Sequence, residues 1–241
     1  MATITLKNVT KSFGNSRIIE KFDAEFADGE FITLLGPSGC GKTTTLRMIA
    51  GFEKPTTGEI FIGDKKVSGE DTFVPPENRN IGMVFQSYAV WPHMNVFDNV
   101  AYPLKIRKRP KAEIQEKVRN ILEEMGLSDY EKTMPSKLSG GQQQRVALGR
   151  ALVSESGILL CDEPLSNLDA RLRKKMRREI KEIQKKYAIT IVYVTHDLTE
   201  AVDMSDRIFV LNEGVVQQVG TPKEILETPA NDFVREFIGD Y

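Results

Sequence analysis

The sequence predicts an α/β fold built on a mainly parallel sheet, with an antiparallel β portion near the N-terminus and an inserted α-helical subdomain. Three observations predict it. Short apolar runs recur at "FITLL", "NIGMVFQ", "GILLCDEP", "TIVYVTHD" and "RIFVLNEG", and several are too continuously apolar for strands with one wet face. Helical segments separate some of these runs, as a parallel sheet requires. The N-terminal stretch instead alternates apolar and polar residues, the mark of half-buried strands.

In chain order, "ITLKNVTKSFG" alternates through Ile4, Leu6 and Val9 and reads as a strand ending in a turn. "FADGEFITLLGPSG" carries a turn at Asp28-Gly29, then the apolar run Phe31–Leu35, then a glycine loop. "TTTLRMIAGF" follows as a helix with Leu46, Ile49 and Ala50 on one side, and "GEIFIGDKKV" as another strand and turn. From about Ser87 to Ser156 the pattern changes. In "KAEIQEKVRNILEEMGL", Ile114, Val118, Ile121, Leu122 and Met125 keep a helical period closed by Gly126. The expected organisation is one domain over 1–241, with a core of 1–86 and 157–241 and a helical subdomain over 87–156.

"KLSGGQQQR" opens another helix. Ser139 and Gln142 make an S-x-x-Q capping box, and Val146, Ala147 and Leu152 give the helix something to bury. Gly140 and Gly141 fall in its first turn, where each costs roughly 1 kcal/mol against alanine. Such a start makes sense where something must come close to the backbone, and phosphate is the usual guest of a bare helix N-terminus. The run "ARLRKKMRREIKEIQKK" is basic, but Leu172, Met176, Ile180 and Ile183 keep helical spacing while Glu179 and Glu182 interleave with the cations. It reads as a solvated amphipathic helix, not a nucleic-acid surface.

Composition narrows the class. With 33 basic and 34 acidic residues the net charge is −1, which argues against a nucleic-acid binder. Hydrophobic content of 40% and charged content of 28% suit a soluble globular protein. The apolar runs fall far short of the ~20 residues that span a bilayer, and "MATITLKNVTK" lacks the layout of a signal peptide. A soluble, intracellular protein is expected. The two cysteines, Cys40 and Cys161, have no metal-ligand spacing and read as reduced filler.

"GPSGCGKT" fits G-x-x-x-x-G-K-[ST] between a strand and a helix, the context that this phosphate loop requires. Gly36, Pro37, Ser38, Gly39, Cys40, Gly41, Lys42, Thr43 and the next residue, Thr44, are therefore assigned to a nucleoside triphosphate. Backbone N–H groups would face the anion, Lys42 would bridge the terminal phosphates, and the Thr43 hydroxyl would ligate Mg²⁺. "GILLCDEP" places Asp162 and Glu163 at the C-terminal end of a buried strand, where ligands of open α/β sheets bind. Adjacent strand residues point to opposite sides, so the two acids should have different tasks. Asp162 suits the Mg²⁺ shell, and Glu163 suits polarising the attacking water. His196 ends "TIVYVTHD" at the same edge and could sense the γ-phosphate; Gln86 ends "NIGMVFQ" and could touch Mg²⁺ or the water. Phe13 could stack on adenine or pack in a small β core.

Together these residues resemble the ATP-binding cassette family, the ATPase subunits of ABC transporters. The motifs run in the family's order: the phosphate loop, Gln86 of the Q-loop, the signature "LSGGQ" at Leu138–Gln142, Asp162 and Glu163, the D-loop "SNLD" ending at Asp169, and His196 as switch histidine. The resemblance implies catalytic roles for Glu163, His196, Gln86 and Lys42, with Thr43, Gln86 and Asp162 about Mg²⁺. It also implies that Ser139, Gly140, Gly141, Gln142 and Asp169 meet the nucleotide across a head-to-tail homodimer. "SYAVWPHMNVFDNVAYPL", "DEPLSNLDARLR" and "VGTPKEILETPANDFVREFIGD" look like bacterial importers of sugars, ferric iron or polyamines. The partners implied are two membrane permease subunits at the cytoplasmic face and, indirectly, an external solute-binding protein. Tyr88, Trp91, Pro92 and His93 would lie near the groove for a permease helix. Many members of that subgroup continue past "FIGD" into a β-rich regulatory domain, whereas this sequence stops at Tyr241. The alternative is a non-transport ABC ATPase of DNA repair or the ribosome, whose usual double cassette, coiled-coil insertion or basic character is not seen in this chain.

Overall fold

A computed structural model describes residues 3–239; Met1, Ala2, Asp240 and Tyr241, and with them the last residue of "FIGD", lie outside the described residues. The first half of the chain runs β1 (Ile4–Phe13), β2 (Ser16–Phe26), β3 (Phe31–Leu35), α1 (Lys42–Ala50), β4 (Thr57–Ile62), β5 (Lys65–Ser68) and β6 (Gly82–Val84). Then come α2 (Val96–Ile106), α3 (Lys111–Glu124) and α4 (Gly140–Leu152), with no strand among them. The rest is β7 (Ile158–Asp162), α5 (Ala170–Tyr187), β8 (Thr190–Thr195), α6 (Leu198–Met204), β9 (Arg207–Asn212), β10 (Val215–Gly220), α7 (Pro222–Glu227) and α8 (Asp232–Ile238).

The strands join in the order β5-β4-β1-β2-β10-β9-β3-β8-β7-β6. β9, β3, β8, β7 and β6 are parallel neighbours, whereas β1, β2, β4 and β5 pair antiparallel. The parallel register gathers the loops. Leu35 pairs with Thr195 and Asp162 with Val194, so β3, β8 and β7 end side by side and their next residues emerge at one edge.

The continuously apolar strands are covered on both faces. In β8, Ile191 and Tyr193 pack toward the helical layer of α2–α5, while Val192 and Val194 pack toward α1 and the antiparallel strands. β7 divides the same way, with Leu159 and Cys161 on one side and Ile158 and Leu160 on the other. This two-sided burial is why period-2 alternation is missing there. The run at 80–86 behaves differently. Only Gly82–Val84 is strand, at the sheet edge, so Gln86 lies two residues beyond it.

α2, α3 and α4 share an interior of Val100, Val118, Ile121, Ala147 and Leu148. α5 buries Met176, Ile180 and Ile183 and turns most of its charges outward, as its spacing predicts; Leu172 is half-buried. A third cluster continues that sheet face beyond α5, with Leu35, Ala201, Ile208 and Val210 under Ile225 of α7 and Val234 of α8.

Candidate functional site

The loop after β3 folds to receive an anion. α1 starts without a side-chain cap, so its first-turn N–H groups stay open. Its N-cap Gly41 sits at φ +103°, and a Cβ there would lie 2.4 Å from Ile19 Cδ1 and 3.1 Å from Ile18 O, so a side chain is excluded. Lys42 is only 4% exposed. Its ammonium donates to Gly36 O and Pro37 O, each at 2.8 Å, and lies 3.9 Å from Cys40 Sγ; none of these partners is an anion. A buried cation that touches no anion is costly, and a phosphate in this loop would relieve that cost. Gly36, Cys40 and Gly41 are buried, Pro37, Thr43 and Thr44 half-buried, and Ser38 and Gly39 exposed. Burial pushes the Cys40 thiol up against the opposing pull of Lys42, which keeps it neutral filler.

The two carboxylates meet different partners, but strand alternation is not what separates them. β7 ends at Asp162, whose Oδ1 accepts from Thr43 Oγ1 at 2.7 Å. Burial raises the Asp162 carboxyl above its usual range, opposed by the Thr43 hydroxyl and by the charges of Arg47 and Lys42. Glu163 is outside the strand. It adopts φ +44°, a strained conformation for a non-glycine residue, so strand alternation does not set its direction. The turn is held by Glu163 N donating to Val194 O and by Ser166 N and Oγ donating to Glu163 O. It brings Glu163 Oε2 to 3.1 Å from His196 Nδ1. Thr43 and Asp162 offer the hard oxygen donors that Mg²⁺ prefers, and no cluster of three or more His, Cys, Asp or Glu occurs among the described residues. Two such donors leave most of a six-coordinate shell to phosphate and water if the ion binds here.

Gln86 is exposed, and its carbonyl accepts from Asn167 Nδ2 at 2.9 Å, which ties it to the loop between Glu163 and Asp169. Phe13 ends β1 with its ring 48% exposed and Lys11 Nζ 4.4 Å from its centroid, so it does not pack in a β core. The return strand β2 supplies the Ile18 and Ile19 that close on Gly41, placing this hairpin beside the phosphate loop.

The capping box of α4 forms: Ser139 Oγ accepts from Gln142 N at 3.4 Å, and Gln142 Oε1 accepts from Ser139 N at 2.9 Å. Ser139 and Gly140 are exposed. A Cβ on Gly141 would lie 2.8 Å from Leu172 Cδ2, so this start packs on the start of α5, where Asp169 Oδ1 caps Leu172 N at 3.0 Å. No hydrogen bond among the described residues joins residues 36–44 to residues 138–142.

Three residues escaped sequence reasoning. Asn167 is the donor that holds the Gln86 carbonyl. Arg150, near the end of α4, donates to Ala89 O at 2.7 Å and Tyr88 O at 3.0 Å and lies 4.3 Å from the Trp91 ring. Arg173 bonds Leu168 O and Asp197. A cation inside the apolar run "VALGRALV" was a readable signal for Arg150; Arg173 had none, being one cation among many.

Against this geometry, relatives fall into line. A family model described as ABC transporter matches residues 19–166, more than half of the chain. The trehalose/maltose import ATP-binding protein MalK of Thermococcus litoralis is 56% identical over 241 residues, covering 99% of this chain and 65% of that one. The spermidine/putrescine import ATP-binding protein PotA of Marinobacter nauticus is 53% identical over 237 residues, covering 98% of this chain and 62% of that one. The chain thus spans less than two thirds of the length of these relatives. Among solved structures, the dimeric ATP-binding cassette MJ0796 in a post-hydrolysis state with ADP and Pi is similar at a TM-score of 0.80 and 33% identity, over 91% of this chain and 98% of that one. A phosphate loop, a second glycine-rich helix start and a matched sequence model converge on one conclusion: the chain belongs to the ABC transporter family.

Proposed function

We propose that the protein is the ATP-hydrolysing subunit of an ABC importer, acting as a head-to-tail homodimer on membrane permease subunits. One observation carries the reading. The buried Lys42, which among the described residues has no carboxylate within salt-bridge distance, and the Glu163–His196 pair stand at adjacent strand ends, while the exposed Ser139–Gly140 start of α4 is bonded to neither. A second copy would bring that start to the nucleotide, so each ATP lies between two helix N-termini. The dimeric form of MJ0796 and the import functions in the names of the relatives support this.

In this scheme Lys42 and the open amides of α1 bind the phosphates. Glu163 accepts a proton from the attacking water, and His196, hydrogen-bonded to it, holds the carboxylate toward the γ-phosphate. Thr43 and Asp162, with Gln86, would hold Mg²⁺, which when bound neutralises phosphate charge. Ser139 still has a hydroxyl proton to donate, because its oxygen is only an acceptor in the cap. Phe13, half-exposed beside the loop, stacks on adenine.

A cleft of about 300 Å³ lined by Met83, Trp91, Tyr102, Ile106 and Arg150 is assigned to a permease helix. Among the described residues no helix is long and apolar enough to cross a membrane, so attachment at the cytoplasmic face would be through that contact. The relatives' names range over sugars, polyamines and sn-glycerol-3-phosphate, so solute choice is assigned to the permease and binding protein.

The test is Glu163→Gln. It should bind ATP, lose at least about 100-fold in turnover, and elute as a dimer with ATP at high protein concentration. Turnover near that of the parent, or a monomer under those conditions, would refute the reading.

A further inference from the structure

The turn that carries His196 is held from behind by a polar cluster that the hydrolysis scheme leaves unused. Tyr193 Oη and Thr195 Oγ1 both donate to Glu200 Oε2, at 2.9 and 2.8 Å. Asp197 N donates to Thr195 Oγ1 at 3.0 Å, and Asp197 Oδ1 caps α6 by accepting from Glu200 N at 3.2 Å. The residues on both sides of His196 are thereby fixed. Glu200 is 3% exposed and its carboxyl is raised by burial.

The cation facing this cluster is Arg173 of α5. Its Nη1 is 3.3 Å from Asp197 Oδ2 and its Nε is 3.8 Å from Glu200 Oε1, too long for a hydrogen bond, so Nε is buried and unbonded. Nη2 turns the other way and donates to Leu168 O at 3.1 Å. Leu168 belongs to the loop that starts at Glu163 and ends at the α5 cap Asp169: Ser166 bonds back to Glu163 O, and Leu168 N to Leu165 O. One planar guanidinium therefore spans the loop carrying Glu163 and the turn carrying His196. A lysine lacks this fixed planar fork and would not hold both at this geometry.

We propose that Arg173 is a positioning residue. It sets the Glu163–His196 distance and transmits any shift of the 163–169 loop, which the proposed dimer would press on at Asp169, to His196. This rests on the reading of the protein as an ATP-hydrolysing dimer. A plain brace between α5 and α6 is the competing role, and the fold supplies its control: Arg177 Nη1 pairs with Asp203 Oδ2 at 3.2 Å, joining the same helices away from the site.

The experiment compares Arg173→Lys, Arg173→Ala and Arg177→Ala in the full chain by ATPase kinetics, ATP binding and imidazole NMR. With His93 as the other of two histidines, the His196 signals are directly assignable. Both Arg173 variants should lose about 10–100-fold in kcat, the cost of small misplacements in an active site. KM and ATP affinity should stay within twofold while the His196 resonances shift. Arg177→Ala should keep kcat within twofold and leave those resonances in place, whatever its Tm. If Arg173→Ala fails to fold, Arg173→Lys decides. The proposal is overturned by kcat within twofold in the Arg173 variants, by an equal loss in Arg177→Ala, by unmoved His196 signals, or by a loss of ATP affinity that matches the loss in kcat. Glu163→Gln separates the two levels. If it turns over normally the hydrolytic reading fails; if it is inactive while the Arg173 variants are normal, only the positioning role fails.

Discussion

Replacing Arg79 by methionine should cost about 3–4 kcal/mol of stability, and the figure comes from counting the bonds it would strand. Arg79 is 4% exposed and has no acidic partner among the described residues; burial lowers its pKa to about 10. Its guanidinium donates to Val74 O, Met48 O, Ile49 O, Val67 O and Ser68 Oγ, at 2.7 to 3.1 Å. Not all five acceptors would be stranded. Met48 O also accepts from Gly51 N, and Val67 O from Val74 N. That leaves Ile49 O, Val74 O and Ser68 Oγ without another donor among the described residues, at about 1 kcal/mol or somewhat more each. The acceptors are mostly backbone and cannot be replaced together with the arginine, so methionine would not recover the loss as an apolar swap of a whole ion pair can. For a chain of this size the drop corresponds to roughly 6–16 °C in Tm. The assay is thermal unfolding with and without ATP. Because Arg79 holds the C-terminal end of α1 and Lys42 stands at the other, ATP affinity of the folded variant should change less than threefold. A stability loss below about 1 kcal/mol would refute the accounting, since it would mean the three acceptors find other donors at no cost.

Asp162→Asn should abolish turnover yet raise the Tm of the nucleotide-free protein by about 2–4 °C at pH 7. The sign follows from burial: the folded carboxyl holds its proton more tightly than the unfolded one, so ionisation destabilises, and the gain should shrink as pH falls toward the ordinary value of 3.8. A lower Tm at pH 7 would contradict this. Ser139→Arg should leave ATP binding to the single subunit within twofold and eliminate both turnover and ATP-dependent dimerisation; lost binding would mean that the loop serves its own nucleotide. Phe13→Ala should weaken ATP binding about tenfold, as loss of one base–aromatic stack does. Its Tm should move by less than about 1 °C because the ring is 48% exposed; unchanged affinity would remove the stacking role.

What could be read from the sequence was whatever depends on nearby residues. The phosphate loop was legible because a run of glycines before Lys42 has few uses, and the α4 start because Ser139 and Gln142 cap one another across three positions. The covered strands were legible because burial on two faces removes alternation. Asp162 and Glu163 do meet different partners, Thr43 and His196, but strand alternation is not the cause, since Glu163 leaves the strand at φ +44°.

The arginines show why the remainder stayed hidden. Arg79, Arg150 and Arg173 each act through carbonyl acceptors, which every residue type has, so sequence carries no trace of the partner. Their reach is also long: Arg150 meets Tyr88 and Ala89 across 62 and 61 positions. Tyr88 and Ala89 stand at φ +62° and +47°, unfavourable for side-chain-bearing residues, and Arg150 is what holds their carbonyls in place. The same helix that presents Ser139 at its start therefore fixes, near its end, the segment that follows Gln86 and leads to Trp91 in the cleft. A partner pressing on Trp91 would act on α4 through the Arg150 guanidinium 4.3 Å away, and so on the glycine-rich start that would meet the second subunit's nucleotide in the proposed dimer. Rigid-body movement of one helix suffices for that coupling, because α4 is a single helix over Gly140–Leu152 with no interior proline to kink it sharply.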